Sequence, residues 1–93
     1  MVRSLGNKDT ERVWHRERVP SMDPRILRVA LRKLRQVGSA GMLEDLCVPP
    51  GNRLEALKGD RVGQHSIRIN DQRRVCFRWT DAGPEEVEIV DYY

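Results

Sequence analysis

Arg53-Leu-Glu-Ala-Leu-Lys-Gly-Asp-Arg-Val-Gly-Gln-His-Ser-Ile-Arg-Ile-Asn-Asp-Gln-Arg-Arg-Val-Cys-Phe-Arg-Trp79 is the stretch that decides the fold. Apolar and polar residues alternate along it, the period of strands whose two sides meet different media. In Gln64–Asn70, His65, Ile67 and Ile69 share one side, and Gln64, Ser66 and Arg68 the other. Asn70-Asp71 marks a tight hairpin. Arg73–Thr80 then returns, with Val75, Phe77 and Trp79 on one face and Arg74, Cys76 and Arg78 on the other. Asp81-Ala82-Gly83-Pro84 is another turn. Beyond it Glu85–Tyr93 places Val87 and Ile89 inward, with Glu86, Glu88 and Tyr92 opposite. Upstream, Leu54–Lys58 reads as a short strand ending in a Gly59-Asp60 turn. The spacing predicts an antiparallel meander with one apolar face and one face rich in guanidinium groups. Such a face suits an extended polyanion.

The apolar face needs a cover, and the residues before it supply one. Asn7 caps a helix from Lys8 to about Arg18, with Asp9 and Glu11 at the positive end of its dipole. Pro20 ends that segment. Ser21 or Asp23 caps a second helix with Pro24 in its first turn. Ile26, Leu27, Ala30, Leu31, Leu34 and Val37 follow helical spacing. Arg25, Arg28, Arg32 and Arg35 lie on the other side, and Gly38 is the expected stop. That arginine row reads as a solvated face, or as a contact for RNA backbone or an acidic partner. Met1–Leu5 reads as an edge strand or a frayed start. Ser39–Asn52 is a connector long enough for a turn of its own, anchored by Leu43 and Leu46. The expectation is one α+β domain over residues 1–93. Two N-terminal helices pack on a curved, mostly antiparallel four-stranded sheet in the order β-α-α-β-β-β.

Charged residues make up 33% of the chain and the net charge is +3. With a pI near 9.2, this balance points to an acidic partner such as a nucleic acid. Cys47 and Cys76 lack CxxC spacing and further partners, so zinc is not expected. They read as two reduced, half-buried thiols. No apolar run approaches the ~20 residues of a membrane span, and no secretory leader is visible. A cytoplasmic protein without a membrane partner is expected. His65 reads as a half-buried histidine with its hydrogen bonds satisfied, and His15 as solvated. The helices do not form a DNA-reading pair, since Pro20 separates them and the second is long.

Cutting RNA without a metal requires a base for the 2′-OH, cations for the charge developing on phosphorus, and an acid for the departing 5′ oxygen. Arginine suits the second role because its planar fork holds two phosphate oxygens. By pattern the candidates are Glu55, Lys58, Arg61, Arg74, Arg78, Tyr92 and Tyr93. Each has a plainer role open to it. Glu55 can pair with a surface arginine, and Lys58 can solubilise a turn. Arg61 can pair with Asp60 or the last strand. Arg74 and Arg78 can form ladders with Glu86 and Glu88. The tyrosines can cap the core.

Three runs of sequence together carry a family likeness: Leu57-Lys-Gly-Asp-Arg-Val-Gly63, Ser66-Ile-Arg-Ile-Asn70 and Arg74-Val-Cys-Phe-Arg-Trp79. Val87-Glu-Ile-Val-Asp-Tyr92 joins them at the end. The chain resembles the HigB branch of the RelE toxin superfamily over essentially its whole length. The resemblance implies two helices on a mostly antiparallel sheet. It implies the toxin of a type II toxin–antitoxin system, a ribosome-dependent mRNA endonuclease working in the A site and inhibiting translation. It also implies a helix-turn-helix, HigA-like antitoxin, operator DNA bound only through that antitoxin, and no metal or other cofactor. By motif position, Lys58, Arg61, Arg74, Asp91 and Tyr92 carry over to the family's site. Arg74 is expected at the scissile phosphate and Asp91 as support. Glu55 stands where some members have His, which implies a proton-transfer role. Arg68 and Arg78 are expected to help bind RNA.

Two positions depart from the family pattern. Arg73 stands where Trp is common, exchanging a stacking surface for a charge. Tyr93 stands where the family has His, a leading group for proton transfer. Tyr93 can donate a proton but is a poor base unless its pKa is strongly lowered. The alternative is therefore a toxin weakened or inactivated by Tyr93, a non-cleaving module that binds RNA, ribosome or antitoxin.

Overall fold

The computed structural model describes residues 1–91; Tyr92 and Tyr93, both expected at the site, lie outside the described residues. Its elements are α1 (Lys8–Trp14), α2 (Pro24–Ser39), β1 (Glu55–Ala56), β2 (His65–Arg68), β3 (Arg73–Thr80) and β4 (Gly83–Asp91). Single 3-10 turns occupy Leu43–Cys47, Pro50–Asn52 and Gly59–Arg61. The four strands form one sheet in sequence order, and every strand pair is antiparallel. The expected α+β arrangement of two helices and a four-stranded sheet is present. The element order differs in one respect. The N-terminal segment makes only a parallel bridge from Leu5 to Val87, and Glu55–Ala56 supplies the fourth strand.

Alternation decides which side of the sheet is covered. Ile67, Val75, Phe77, Val87 and Ile89 face the helices and are buried against Val13, Ala30, Leu34 and Val37. Asn7 caps α1 as expected, its Oδ1 accepting from the Thr10 N–H at 2.9 Å. The buried Thr10 hydroxyl in turn accepts from Ile89 N at 2.8 Å. A helix with few apolar residues is thus pinned to β4 through its cap.

Helix α1 stops four residues short of the expected end. Arg16 takes φ 61. Glu17 N donates to Arg12 O and Arg16 N to Val13 O, which closes the helix without glycine. Helix α2 runs past its expected stop. Gly38 is helical, and its missing side chain lets Val2 approach; a Cβ there would lie 3.1 Å from Val2 Cγ2. Asp23, not Ser21, is the cap, accepting from Arg25 N at 2.8 Å and Ile26 N at 3.0 Å.

The connector is held from beneath. Asn52, fully buried, donates through Nδ2 to Leu46 O at 3.1 Å and accepts from Lys33 Nζ at 2.5 Å. Leu46 is buried, as expected for an anchor, and Leu43 packs against the core.

Candidate nucleic-acid cleft

Strand register brings the polar residues of the uncovered face into rows. Glu55, Ser66, Cys76 and Glu88 stand side by side across the sheet. Arg68, Arg74 and Val90 form the next row. Over these rows opens a cleft of about 460 Å³, lined by Glu55, Lys58, Arg61, Ser66, Arg74 and Cys76, with Val90 and Asp91 on the β4 side.

Arg74 is its best-anchored cation, only 6% exposed. Nε donates to Ser66 Oγ at 2.7 Å, and Nη2 donates to Arg53 O at 2.7 Å. The Arg53 carbonyl belongs to a residue at φ 47. Glu55 Oε1 lies 3.6 Å from Nε. Arg61 is fixed from the opposite edge. Its Nη2 meets Glu88 Oε1 at 2.7 Å, and Nη1 donates to Gln64 Oε1 at 3.0 Å. The Glu88 hydrogen bond raises the Arg61 pKa further. Both guanidinium groups are therefore oriented before any ligand arrives, which reduces the ordering cost of binding an anion.

A β-bulge on β4 sets these partners. Between Cys76 and Arg78 the register shifts, with Cys76 opposite Glu88 but Arg78 opposite Glu85. The extra β4 residue lies in this interval, where Glu86 takes φ 52. Arg78 consequently pairs with Glu86 at 3.3 Å and Glu88 is left to Arg61. Glu86 and Glu88 are thus taken by Arg78 and Arg61, and among the described residues the carboxylate beside Arg74 is Glu55.

Among the expected site residues, Glu55, Lys58, Arg61, Arg74 and Asp91 line the cleft. Lys58 precedes the 3-10 turn that carries Arg61. Arg68 and Arg78 lie on the same face but outside the lining. Arg68 is paired with Asp71. Asp91 reaches Arg73 Nε at 3.4 Å. Arg73 is buried, and its Nη2 donates to Ser21 O at 3.0 Å. It does not replace a base-stacking surface with an exposed charge; it ties the end of β4 to the link between the helices.

Three residues of the arrangement lie in the family runs but have no site role that the sequence assigns: Ser66, Glu88 and Cys76. Their polar parity is legible, but their partners depend on register. Cys76 is buried in the cleft floor, and burial pushes its thiol pKa up, against the pull of Arg61 and Arg74. Cys47 is exposed, so neither thiol is half-buried, and both are free. His65 differs from expectation as well. Its ring stacks on Phe77 at 6.5 Å, and Nδ1 is buried without a hydrogen-bond partner among the described residues. Among the described residues no group of three or more His, Cys, Asp or Glu is placed to hold a metal ion, and no helix is long and apolar enough to cross a membrane.

A family model described as the RelE-like toxin of type II toxin–antitoxin system HigB matches residues 4–93. Toxin HigB-1 of Vibrio cholerae serotype O1 is 37% identical over 82 residues, covering 87% of this chain and 86% of that protein. Among solved structures, the YoeB/ParE toxin from Agrobacterium tumefaciens is similar at a TM-score of 0.50 and 24% identity. That likeness covers 91% of this chain and 87% of the other and bears on the fold alone.

Proposed function

The chain belongs to the HigB family of RelE-like toxins of type II toxin–antitoxin systems, and from that premise we propose that it cuts mRNA in the ribosomal A site. The observation that carries this reading is the buried, preoriented Arg74 at the wall of a cleft shared with Lys58 and Arg61.

The reaction is metal-independent attack of a ribose 2′-OH on the adjacent phosphodiester. A phosphate entering the cleft meets Arg74, whose fixed guanidinium stabilises charge developing on the nonbridging oxygens. Lys58, exposed at the lip and without an ion pair among the described residues, adds a mobile point charge. Arg61 places the neighbouring backbone, with Arg68 and Arg78 extending the track. Glu55 shields Arg74 while the cleft is empty; once a phosphate displaces it, its carboxylate is free to take the 2′-OH proton. The terminal pair Tyr92 and Tyr93 serves the leaving 5′ oxygen, with Tyr93 donating the one proton it takes as the P–O5′ bond breaks, and Asp91 supports that end of the strand. The protein partners are the ribosome and a helix-turn-helix antitoxin, through which operator DNA is reached, and the setting is the cytoplasm.

Primer extension on a translated mRNA tests the reading. Wild type should leave discrete cuts at A-site codons, and Arg74→Ala should lower cleavage by about 10²–10³-fold, the usual loss when a charge-stabilising donor is removed. Full cleavage by a folded Arg74→Ala variant would overturn the assignment. Translational arrest without cuts by wild type would instead establish a non-cleaving binding module, the outcome favoured if Tyr93 cannot replace histidine.

A further inference from the structure

Helix α2 turns a charged ridge away from the sheet. Arg25, Arg28, Arg32 and Arg35 are all exposed along it, and none makes an ion pair among the described residues. Lys33 beside them is buried, and among the described residues its side chain donates to the neutral Asn52 amide oxygen and meets no carboxylate. Asp23 feels Arg25 and Arg28, but its carboxylate is engaged by backbone N–H groups at the helix start. The nearest carboxylates, Asp23 and Glu17, stand at the flanks, and neither forms an ion pair with these arginines among the described residues.

An apolar gutter runs along each flank of the ridge. Ile26, Val29 and Ile69 line one, of about 200 Å³. Val13, Leu27 and Leu31 line the other, of about 190 Å³, together with Arg16, Glu17 and Arg28. Ile26, Leu27, Val29 and Leu31 are half-buried and pack on the core from outside, while Val13 and Ile69 belong to the core beneath. A nucleic-acid backbone would satisfy the arginines but has nothing apolar to place in the gutters. A polypeptide carrying carboxylates beside Leu or Ile side chains satisfies both.

We propose that the outer face of α2 is the docking surface for an acidic amphipathic segment of the antitoxin. This rests on membership in a toxin–antitoxin family, not on nuclease activity. The surface is separate from the cleft, because α2 covers the opposite side of the sheet. Carboxylates of the segment lie over Arg28 and Arg32, and its apolar side chains enter the flanking gutters. The ridge also sets the direction of discrimination, since a basic or neutral segment would leave the same cations uncompensated.

The test uses the full toxin and its cognate antitoxin, with affinity measured by titration calorimetry at two salt concentrations. Arg28→Glu/Arg32→Glu should weaken binding by at least about tenfold and flatten its salt dependence. Arg28→Lys/Arg32→Lys should retain most of the affinity, and circular dichroism should report an unchanged fold for both. Unchanged antitoxin affinity in the folded Glu variant overturns the proposal. Unchanged antitoxin affinity together with lost ribosome co-sedimentation also overturns it and assigns the ridge to RNA. The affinity readout needs no RNA cleavage, so an inactive nuclease would sink the functional reading while leaving this result interpretable.

Discussion

The two arginine-rich surfaces of this toxin are built in opposite ways. On the sheet, every cation of β2 and β3 has a carboxylate: Arg68 with Asp71, Arg73 with Asp91, Arg74 with Glu55 and Arg78 with Glu86. Arg61, beside them, has Glu88. On α2 the cations have none among the described residues. The difference separates aiming from attraction. A guanidinium held by Ser66 Oγ, a backbone carbonyl and a carboxylate points in one direction before a ligand arrives, but part of its charge is already neutralised. An exposed arginine on a helix keeps its full charge and its rotamer freedom, so it draws an anionic partner without fixing the geometry of a reaction. Chemistry needs the first kind of surface, and partner capture can use the second.

If that contrast holds, removing a partner should matter much more on the sheet than on the helix. The largest expected effect is at Ser66, which is fully buried. Ser66→Ala removes the acceptor for Arg74 Nε and leaves a buried charged donor poorly satisfied, at a cost of about 1–3 kcal/mol in urea denaturation. Cleavage should fall as well, and Ser66→Thr should recover part of the rate because it restores the hydroxyl. A neutral Ser66→Ala would break the comparison, since Arg74 would then not depend on its anchors. Glu88→Gln should have a smaller effect. Its partner Arg61 has a side chain 37% exposed, so solvent screening limits the loss to about 1 kcal/mol or less. The change should appear as a higher KM for RNA with kcat largely kept. An equal fall in kcat would mean that Arg61 acts on the reacting phosphate itself.

The same contrast accounts for what could be read in the sequence. Period and caps gave the helices and the meander, because the Asn7 and Asp23 caps and the alternation around Ile67 and Val75 are local signals. Two helix ends differ from their sequence signals: Arg16 closes α1 in a left-handed conformation without glycine, and Gly38, a usual stop, stays helical where Val2 packs beside it. In the cleft, Glu55, Lys58, Arg61 and Arg74 were legible as residue types in a motif. The pairing was not, because one bulge near Glu86 decides which glutamate meets which arginine. Even with Glu86 and Glu88 known to share a face, register alone separates an Arg74–Glu88 ladder from the Arg61–Glu88 pair that forms. The burial of Arg73 was equally hidden, since its partners Ser21 and Asp91 lie far from it along the chain.

The smallest effect belongs to the helix and is the most specific test of its charge state. Asp23 is held below its ordinary pKa of 3.8, first by the hydrogen bond from Ile26 N and then by Arg25 N and the charges of Arg25 and Arg28. A carboxylate whose folded pKa is lowered adds stability above its unfolded pKa and loses it as pH falls through the folded value. Its contribution should therefore be intact at pH 5 and above and disappear only below the ordinary 3.8. Asn caps a helix about as well as Asp but does not titrate. Asp23→Asn should thus melt close to wild type at pH 7 and lose less stability than wild type between pH 4 and the acid limit, as followed by thermal melts across that range. Parallel curves for the two proteins would mean that neither the N–H groups at the helix start nor the charges of Arg25 and Arg28 lower the Asp23 pKa on folding. The cap would then carry no sign of the positive potential expected at this end of the ridge, which would weaken the distinction between a neutralised sheet and a charged helix.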